Sequence, residues 1–299
     1  MGLVGVDIGA LFLKAVRVDP AGQILASFYE RHHGEPSQAL TEAFDALNVS
    51  ELDSIGITGC NGELFARSFE LPYRDVTLCQ LDAIRLIAPD TFYIMDIGGG
   101  SATLIELDGE GKFQGYSSNS LCAAGTGSFL DEQAGRLGIS YEDAESFEHN
   151  PNPPTIAARC TVFAKSDLIH RQQEGCSRMD MWSGLCRGMT RTLLGTLLHG
   201  RPLSGKTAVI GGVAQNSEVV RWLETAWPNF ITVPKNPHLV ASIGAALKGA
   251  RPKKPLVLAE RKKDGSKTLA RFPWSLSMEK SKYPSFATKE AYEDDDQNE

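Results

Sequence analysis

Up to Gly249 the apolar positions come in short runs, each stopped by glycine or by an Asp-Gly or Pro-Ala-Gly turn. Residues 3–8 read as a strand, Gly9-Ala10 as a turn and residues 13–19 as a second strand. Pro20-Ala21-Gly22 closes a hairpin onto a third strand over 24–29. A helix is predicted over 37–47 and a strand over 54–58, before the Gly59-Cys60-Asn61-Gly62 turn. Near Thr91 the programme restarts, with a strand over 92–97, a turn at Gly98-Gly99-Gly100 and a strand over 103–107. A hairpin turn at 108–111 and a strand over 113–117 follow. Both halves therefore open with an apolar strand ending in Asp-Ile-Gly, then a hairpin, then helices. That duplication predicts two similar α/β lobes with a cleft between them. Residues 1–90 form the first lobe, completed by about 236–250, and 91–235 form the second.

Composition narrows the class. At 299 residues, 42% hydrophobic and 22% charged, the chain reads as a soluble globular protein, not a disordered one. A net charge of −7 argues against a general nucleic-acid binder. No run approaches 18 uncharged apolar residues, so no membrane span is expected. The N-terminus meets Asp7 too early for a signal peptide, and six Cys are too sparse for a disulfide scaffold. A cytoplasmic setting with reduced thiols is expected. Residues 251–299 carry 11 Lys/Arg and end in EDDDQNE; they read as a polar, poorly ordered tail.

Three glycine loops carry the candidate chemistry. Asp7-Ile8-Gly9 and Asp96-Ile97-Gly98-Gly99-Gly100-Ser101 each place a carboxylate at a strand end before a glycine turn. Glycine lets the backbone approach an anion closely, and turn N–H groups suit phosphate oxygens. Like charges repel, so Asp7 and Asp96 would serve Mg²⁺ or its waters instead. Both are expected at a cleft edge and not in a core. In the third loop, 208–216, a strand ends in Gly211-Gly212 and a helix opens over 216–222, an arrangement able to lie flat against a nucleoside. No GxGxxG or P-loop motif is present.

The order D-x-G, D-x-G-G-G, x-G-G-V-x-x-N resembles the two phosphate loops and the adenosine loop of the acetate kinase–sugar kinase–Hsp70–actin superfamily. The resemblance implies a two-lobed, actin-like α/β ATPase fold, built from duplicated ribonuclease-H-like domains. ATP or ADP with Mg²⁺ would lie between the lobes. Asp7 and Asp96 would be the catalytic pair. Gly9, Lys14, Gly98, Gly99, Gly100, Ser101, Gly125, Gly127, Gly211, Gly212 and Asn216 would hold the nucleotide.

Two cysteines stand near helix starts: Cys122 in LCAAGTGSFLD and Cys160 in ARCTVFAKSDLI. By position each suits either a small buried hydrophobe or a ligand of an anionic iron–sulfur cluster. A [4Fe–4S] cluster takes four thiolates, and no CxxC run supplies them locally. Two cysteines per chain meet that number only across a homodimer. These two segments closely resemble the ATP-dependent activators of 2-hydroxyacyl-CoA dehydratases and the ATP-binding subunits of benzoyl-CoA reductases, over roughly residues 3–248. That resemblance assigns Cys122 and Cys160 to one [4Fe–4S] cluster shared by two subunits. It also implies a ferredoxin or flavodoxin as reductant and an iron–sulfur acyl-CoA dehydratase or reductase as partner. Cys60, Cys79, Cys176 and Cys186 read as packing residues.

The chain departs from the family pattern in places. Gly9-Ala10-Leu11-Phe12 carries no hydroxyl, Gly100-Ser101 stands where activators often have Gln-Asp, and Asp75 and Cys79 occupy a Glu/His spacing. Two other readings share the fold: a small-molecule kinase, for which Glu63, Asp75 and Asp82 are candidate bases, and a non-catalytic ATP switch or scaffold.

Overall fold

The structure, a computed structural model, describes residues 2–119, 125–253 and 256. The 251–299 tail, apart from 251–253 and 256, and the loop holding Cys122 lie outside the described residues.

The first sheet joins β1 (Leu3–Ile8), β2 (Phe12–Val18), β3 (Ile24–Arg31) and β4 (Ser54–Thr58) in the order β3-β2-β1-β4. The second joins β5 (Tyr93–Ile97), β6 (Ala102–Leu107), β7 (Phe113–Ser118), β8 (Thr207–Ile210) and β9 (Ile231–Thr232) in the order β7-β6-β5-β8-β9. In each, the strand ending in Asp-Ile-Gly is antiparallel to the next strand and parallel to the fourth. β1 and β4 are buried on both faces, which explains their continuous apolar runs.

The helices are α1 (Pro36–Ala46), α2 (Gly62–Phe69), α3 (Val76–Ile87), α4 (Gly127–Leu137), α5 (Tyr141–Glu145), α6 (Thr161–Gln173), α7 (Arg178–Leu198), α8 (Ser217–Ala226) and α9 (Val240–Leu247). One apolar cluster runs through β2, α3, β5, β6, β8 and α9, joining the two sheets through Val16, Ile84, Ile105, Ile210 and Ile243. α9 lies directly on the first sheet: a Cβ on Gly5 would collide with Ser242 O, and one on Gly56 with Ala245 O. A second cluster packs α4, α6, α7 and α8 on the other side of β5, β6 and β8, around Phe129, Trp182 and Leu193. Gly184 and Gly188 of α7 let residues 154–158 run along that helix, because a Cβ at either would strike the carbonyl of Pro154 or Ile156. That segment leads straight to Cys160. No helix among the described residues is long and apolar enough to cross a membrane.

Candidate nucleotide site and the cysteine helix

Two matching hairpins start the site. Gly9 N–H donates to Phe12 O at 3.0 Å, and Gly98 N–H donates to Ser101 O at 2.9 Å. Each four-residue turn leaves its middle N–H groups (Ala10 and Leu11, Gly99 and Gly100) without a partner among the described residues. The turns touch, since a Cβ on Gly99 would stand 2.8 Å from Leu11 Cδ1. Together with α3, α4, α5 and the turn after β8 they line a cavity of about 580 Å³. Asp7, Gly9, Lys14, Asp96, Gly98, Gly99, Gly100, Ser101, Gly127, Gly212 and Asn216 all line it. Gly125 and Gly211 do not. Gly125 packs at φ +84° over Leu193 of α7, and Gly211 sits behind the cavity against Asp96.

The charges are paired. Lys14 Nζ donates to Asp7 Oδ2 at 2.8 Å. Burial alone would depress the lysine pKa, but Asp7 and, more weakly, Asp96 outweigh it and raise the pKa. Asp96 accepts from Gln80 Nε2 at 2.6 Å. Burial, with Asp7 adding repulsion, pushes its pKa above the ordinary carboxylate value. Asp7 is a correction to the sequence reading: it is buried, not placed at an edge, because β1 is covered on both faces. Three charges so close in a low dielectric favour an added cation beside an added polyanion.

On the far side the chain departs from the expected strand-to-helix step. Gly211 turns at φ +90°, residues Gly212–Gln215 form a 3₁₀ turn, and α8 begins only at Ser217. Asn216 is its N-cap, its side-chain oxygen accepting from Glu218 N–H at 3.1 Å and Val219 N–H at 3.2 Å. Tyr29 stands opposite, stacked on Phe12 at 4.8 Å and tilted against His238 at 4.7 Å. Burial, with Lys14 adding repulsion, lowers the His238 pKa to about 4, so this ring is neutral at pH 7.

Sequence reasoning missed Tyr29, Gln80 and Asp131 on the cavity wall. Tyr29 comes from an edge strand with no motif, Asp131 closes the LCAAGTGSFLD segment but reads there only as part of the cysteine motif, and Gln80 is one polar residue in an apolar helix. Cys60 is a second correction. It is exposed and lines the cavity, because Gly59 turns the chain there, whereas Cys79 and Cys186 are buried and Cys176 is half-buried.

Cys160 ends the segment held along α7 and is the N-cap of α6; its side chain makes no capping hydrogen bond. It lines a groove of about 770 Å³ with Arg159, Arg187 and Arg191. Val162 and Phe163 in the first turn of α6 are 66% and 65% exposed. Among the described residues no three His, Cys, Asp or Glu side chains gather as a metal site. A four-thiolate cluster fits Cys160 as one half-buried ligand beside basic side chains, with the remainder supplied from outside the described residues. Mg²⁺ needs no closed cage, since one or two carboxylates, phosphates and waters suffice; Asp7 and Asp96 meet that requirement.

The phosphate hairpin also touches α4. Gly127 N–H donates to Gly98 O and Ser128 N–H to Gly99 O, both at 2.9 Å. A side chain at Gly127 would crowd Gly99 Cα at 3.2 Å, so this glycine permits the contact. A model of the BadF/BadG/BcrA/BcrD ATPase family matches residues 4–249.

The chain belongs to the BadF/BadG/BcrA/BcrD ATPase family. It is 29% identical over 253 residues to the 2-hydroxyisocaproyl-CoA dehydratase activator of Clostridioides difficile, covering 83% of this chain and 94% of that one. It is likewise 29% identical over 252 residues to the activator of lactoyl-CoA dehydratase of Anaerotignum propionicum, covering 83% and 96%. The solved structure of the Clostridium difficile activator with bound ADPNP superposes with TM-score 0.73 at 27% identity, over 83% of this chain and 94% of that one. This BadF/BadG/BcrA/BcrD member thus has the two-lobed, actin-like ATPase fold that its loop order implies.

Proposed function

We propose that the protein is an ATP-hydrolysing activator that passes single low-potential electrons to a partner acyl-CoA dehydratase or reductase. The observation that carries this reading is the pair of hydrogen bonds from Gly127 and Ser128 to the carbonyls of Gly98 and Gly99. They tie the turn assigned to phosphate to the helix that the Cys122 loop enters. A change of phosphate occupancy that moves 98–100 therefore moves the start of α4 with it.

The N–H groups of Ala10, Leu11, Gly99 and Gly100 bind the phosphates, Lys14 balances their charge, and Asp7 and Asp96 hold Mg²⁺ through oxygen or water. The 3₁₀ turn at Gly212–Gln215 backs the nucleoside. Cys160, with Cys122 and the same pair from a second subunit, would hold a [4Fe–4S] cluster, which supplies one-electron transfer when bound. Val162 and Phe163 give that end of the molecule an apolar surface suited to a homodimer contact. A ferredoxin or flavodoxin serves as reductant.

The kinase reading needs a carboxylate base facing the cavity. Glu63 pairs with Arg67 at 2.5 Å, Asp75 caps α3, and Asp82 pairs with Arg74 at 2.6 Å. None of the three lines the cavity. The test is anaerobic electron transfer from reduced flavodoxin to a dehydratase of the family, with and without MgATP. Transfer only with MgATP supports the activator; sugar-dependent ADP release with no iron contradicts it.

A further inference from the structure

We propose that Gln80 orients the water that attacks the terminal phosphate of ATP. The inference rests on the hydrolytic reading above and assigns its nucleophile. Gln80 belongs to α3, between the two sheets, and is 3% exposed, yet it lines the cavity with Lys14, Asp7 and both glycine hairpins. Its amide is fixed in one sense: Nε2 donates to Asp96 Oδ2 at 2.6 Å, a hydrogen bond to a carboxylate. That bond leaves Oε1 as an acceptor with no partner among the described residues. An amide oxygen open to a polar cavity accepts a hydrogen bond from water.

Three of the carboxylates on that wall are committed. Asp7 is bound by Lys14, Asp96 by Gln80, and Asp131 accepts from Tyr141 Oη at 2.6 Å with Arg31 at 3.7 Å. Glu142 and Glu145 also line the cavity, from α5. Asp7 and Asp96, the carboxylates at the two hairpin strands, are therefore both engaged. Phosphoryl transfer through a loose transition state needs an oriented water more than a strong base, and glutamine serves that role in other nucleotide hydrolases. The water oxygen bonds to the γ-phosphorus as the bond from that phosphorus to the β–γ bridging oxygen breaks. The electron pair of the broken bond stays on ADP. A water proton passes to an oxygen of the departing phosphate, giving ADP and dihydrogen phosphate.

The test compares Gln80→Met, which keeps the shape and removes the amide, and Gln80→Ala with the parent. MgATP turnover and ADP affinity by calorimetry are measured over a range of Mg²⁺ concentrations. The proposal expects kcat to fall about 100-fold or more at saturating Mg²⁺ in both variants, with ADP affinity within about threefold of the parent. Unaltered kcat overturns it. Recovery of kcat at high Mg²⁺ also overturns it, because Gln80 then acts only by placing Asp96 for the cation. A variant that loses ADP binding along with turnover assigns Gln80 to the fold and likewise overturns it. A parent that binds ADP but does not hydrolyse MgATP contradicts the hydrolytic reading itself, and Gln80 falls with it.

Discussion

Gly59 sits against the carboxylate of Asp7: its backbone is left-handed at φ +95°, and a Cβ there would lie 2.5 Å from Asp7 Oδ1. Gly211 repeats the relationship in the other half. It turns at φ +90°, and a Cβ would collide with Asp96 Oδ1 and stand 2.5 Å from Ile97 O. In each sheet the glycine follows the strand that runs parallel to the one bearing the aspartate. The duplication thus extends from strand order to the space kept open around each carboxylate.

Gly59→Ala and Gly211→Ala should each destabilise the protein by roughly 2 kcal/mol or more, the left-handed backbone and the collision adding together. Gly34 is the control. It also has positive φ, at +86°, but a Cβ there meets nothing within 4 Å, so Gly34→Ala should cost only about 1 kcal/mol. Urea unfolding measures all three, and equal costs would remove the special status of the two carboxylates.

Lys14→Met would leave Asp7 buried without its cation. Loss of one partner from a buried pair costs about 3 kcal/mol. Adding Asp7→Asn to that variant should restore much of the stability while ATP binding stays at least about tenfold weak, since the phosphate counter-charge is still missing. A stable single variant with parental ATP affinity would place the nucleotide elsewhere.

The strand framework was legible because its signals are local. Asp-Ile-Gly at two strand ends, the Pro20-Ala21-Gly22 turn and the 108–111 hairpin each mark a boundary through backbone chemistry that few other residues supply. α9 carries no such mark. Its VASIGAAL is apolar all round because it is enclosed by β1, β4 and α3. α7 hides for a different reason, since Gly184 and Gly188 break its helical propensity to admit residues 154–158. Asn216 shows the limit at the site: its side chain caps α8, a role that the GG-V-x-x-N pattern does not distinguish from a nucleoside contact. Gln80, on helix α3, acquires meaning only through Asp96 at the end of β5 in the second sheet.

His238 gives the fold a pH dependence. Its pKa is near 6.5 in the unfolded chain and about 4 in the folded protein, held down first by burial and then by Lys14. The unfolded state therefore binds the extra proton first. Stability should be full above pH 6.5, fall as pH drops from 6.5 towards 4, and level off below that for this group. His238→Gln should flatten this part of the profile. Thermal melts at intervals across the window decide it, and an unchanged slope in the variant would assign the loss to other groups.

The central claim is that nucleotide chemistry in this fold serves a cluster held by Cys122 and Cys160 from two chains. Iron and acid-labile sulfide per chain, measured on anaerobically purified parent and on Cys160→Ser with subunit mass in solution, test it most directly. The account predicts about two irons per chain in a dimeric parent. It predicts nearly none in Cys160→Ser, because symmetry removes two of four ligands at once. Four irons per chain, a monomer that keeps its iron, or a Cys160→Ser protein with parental iron would contradict it.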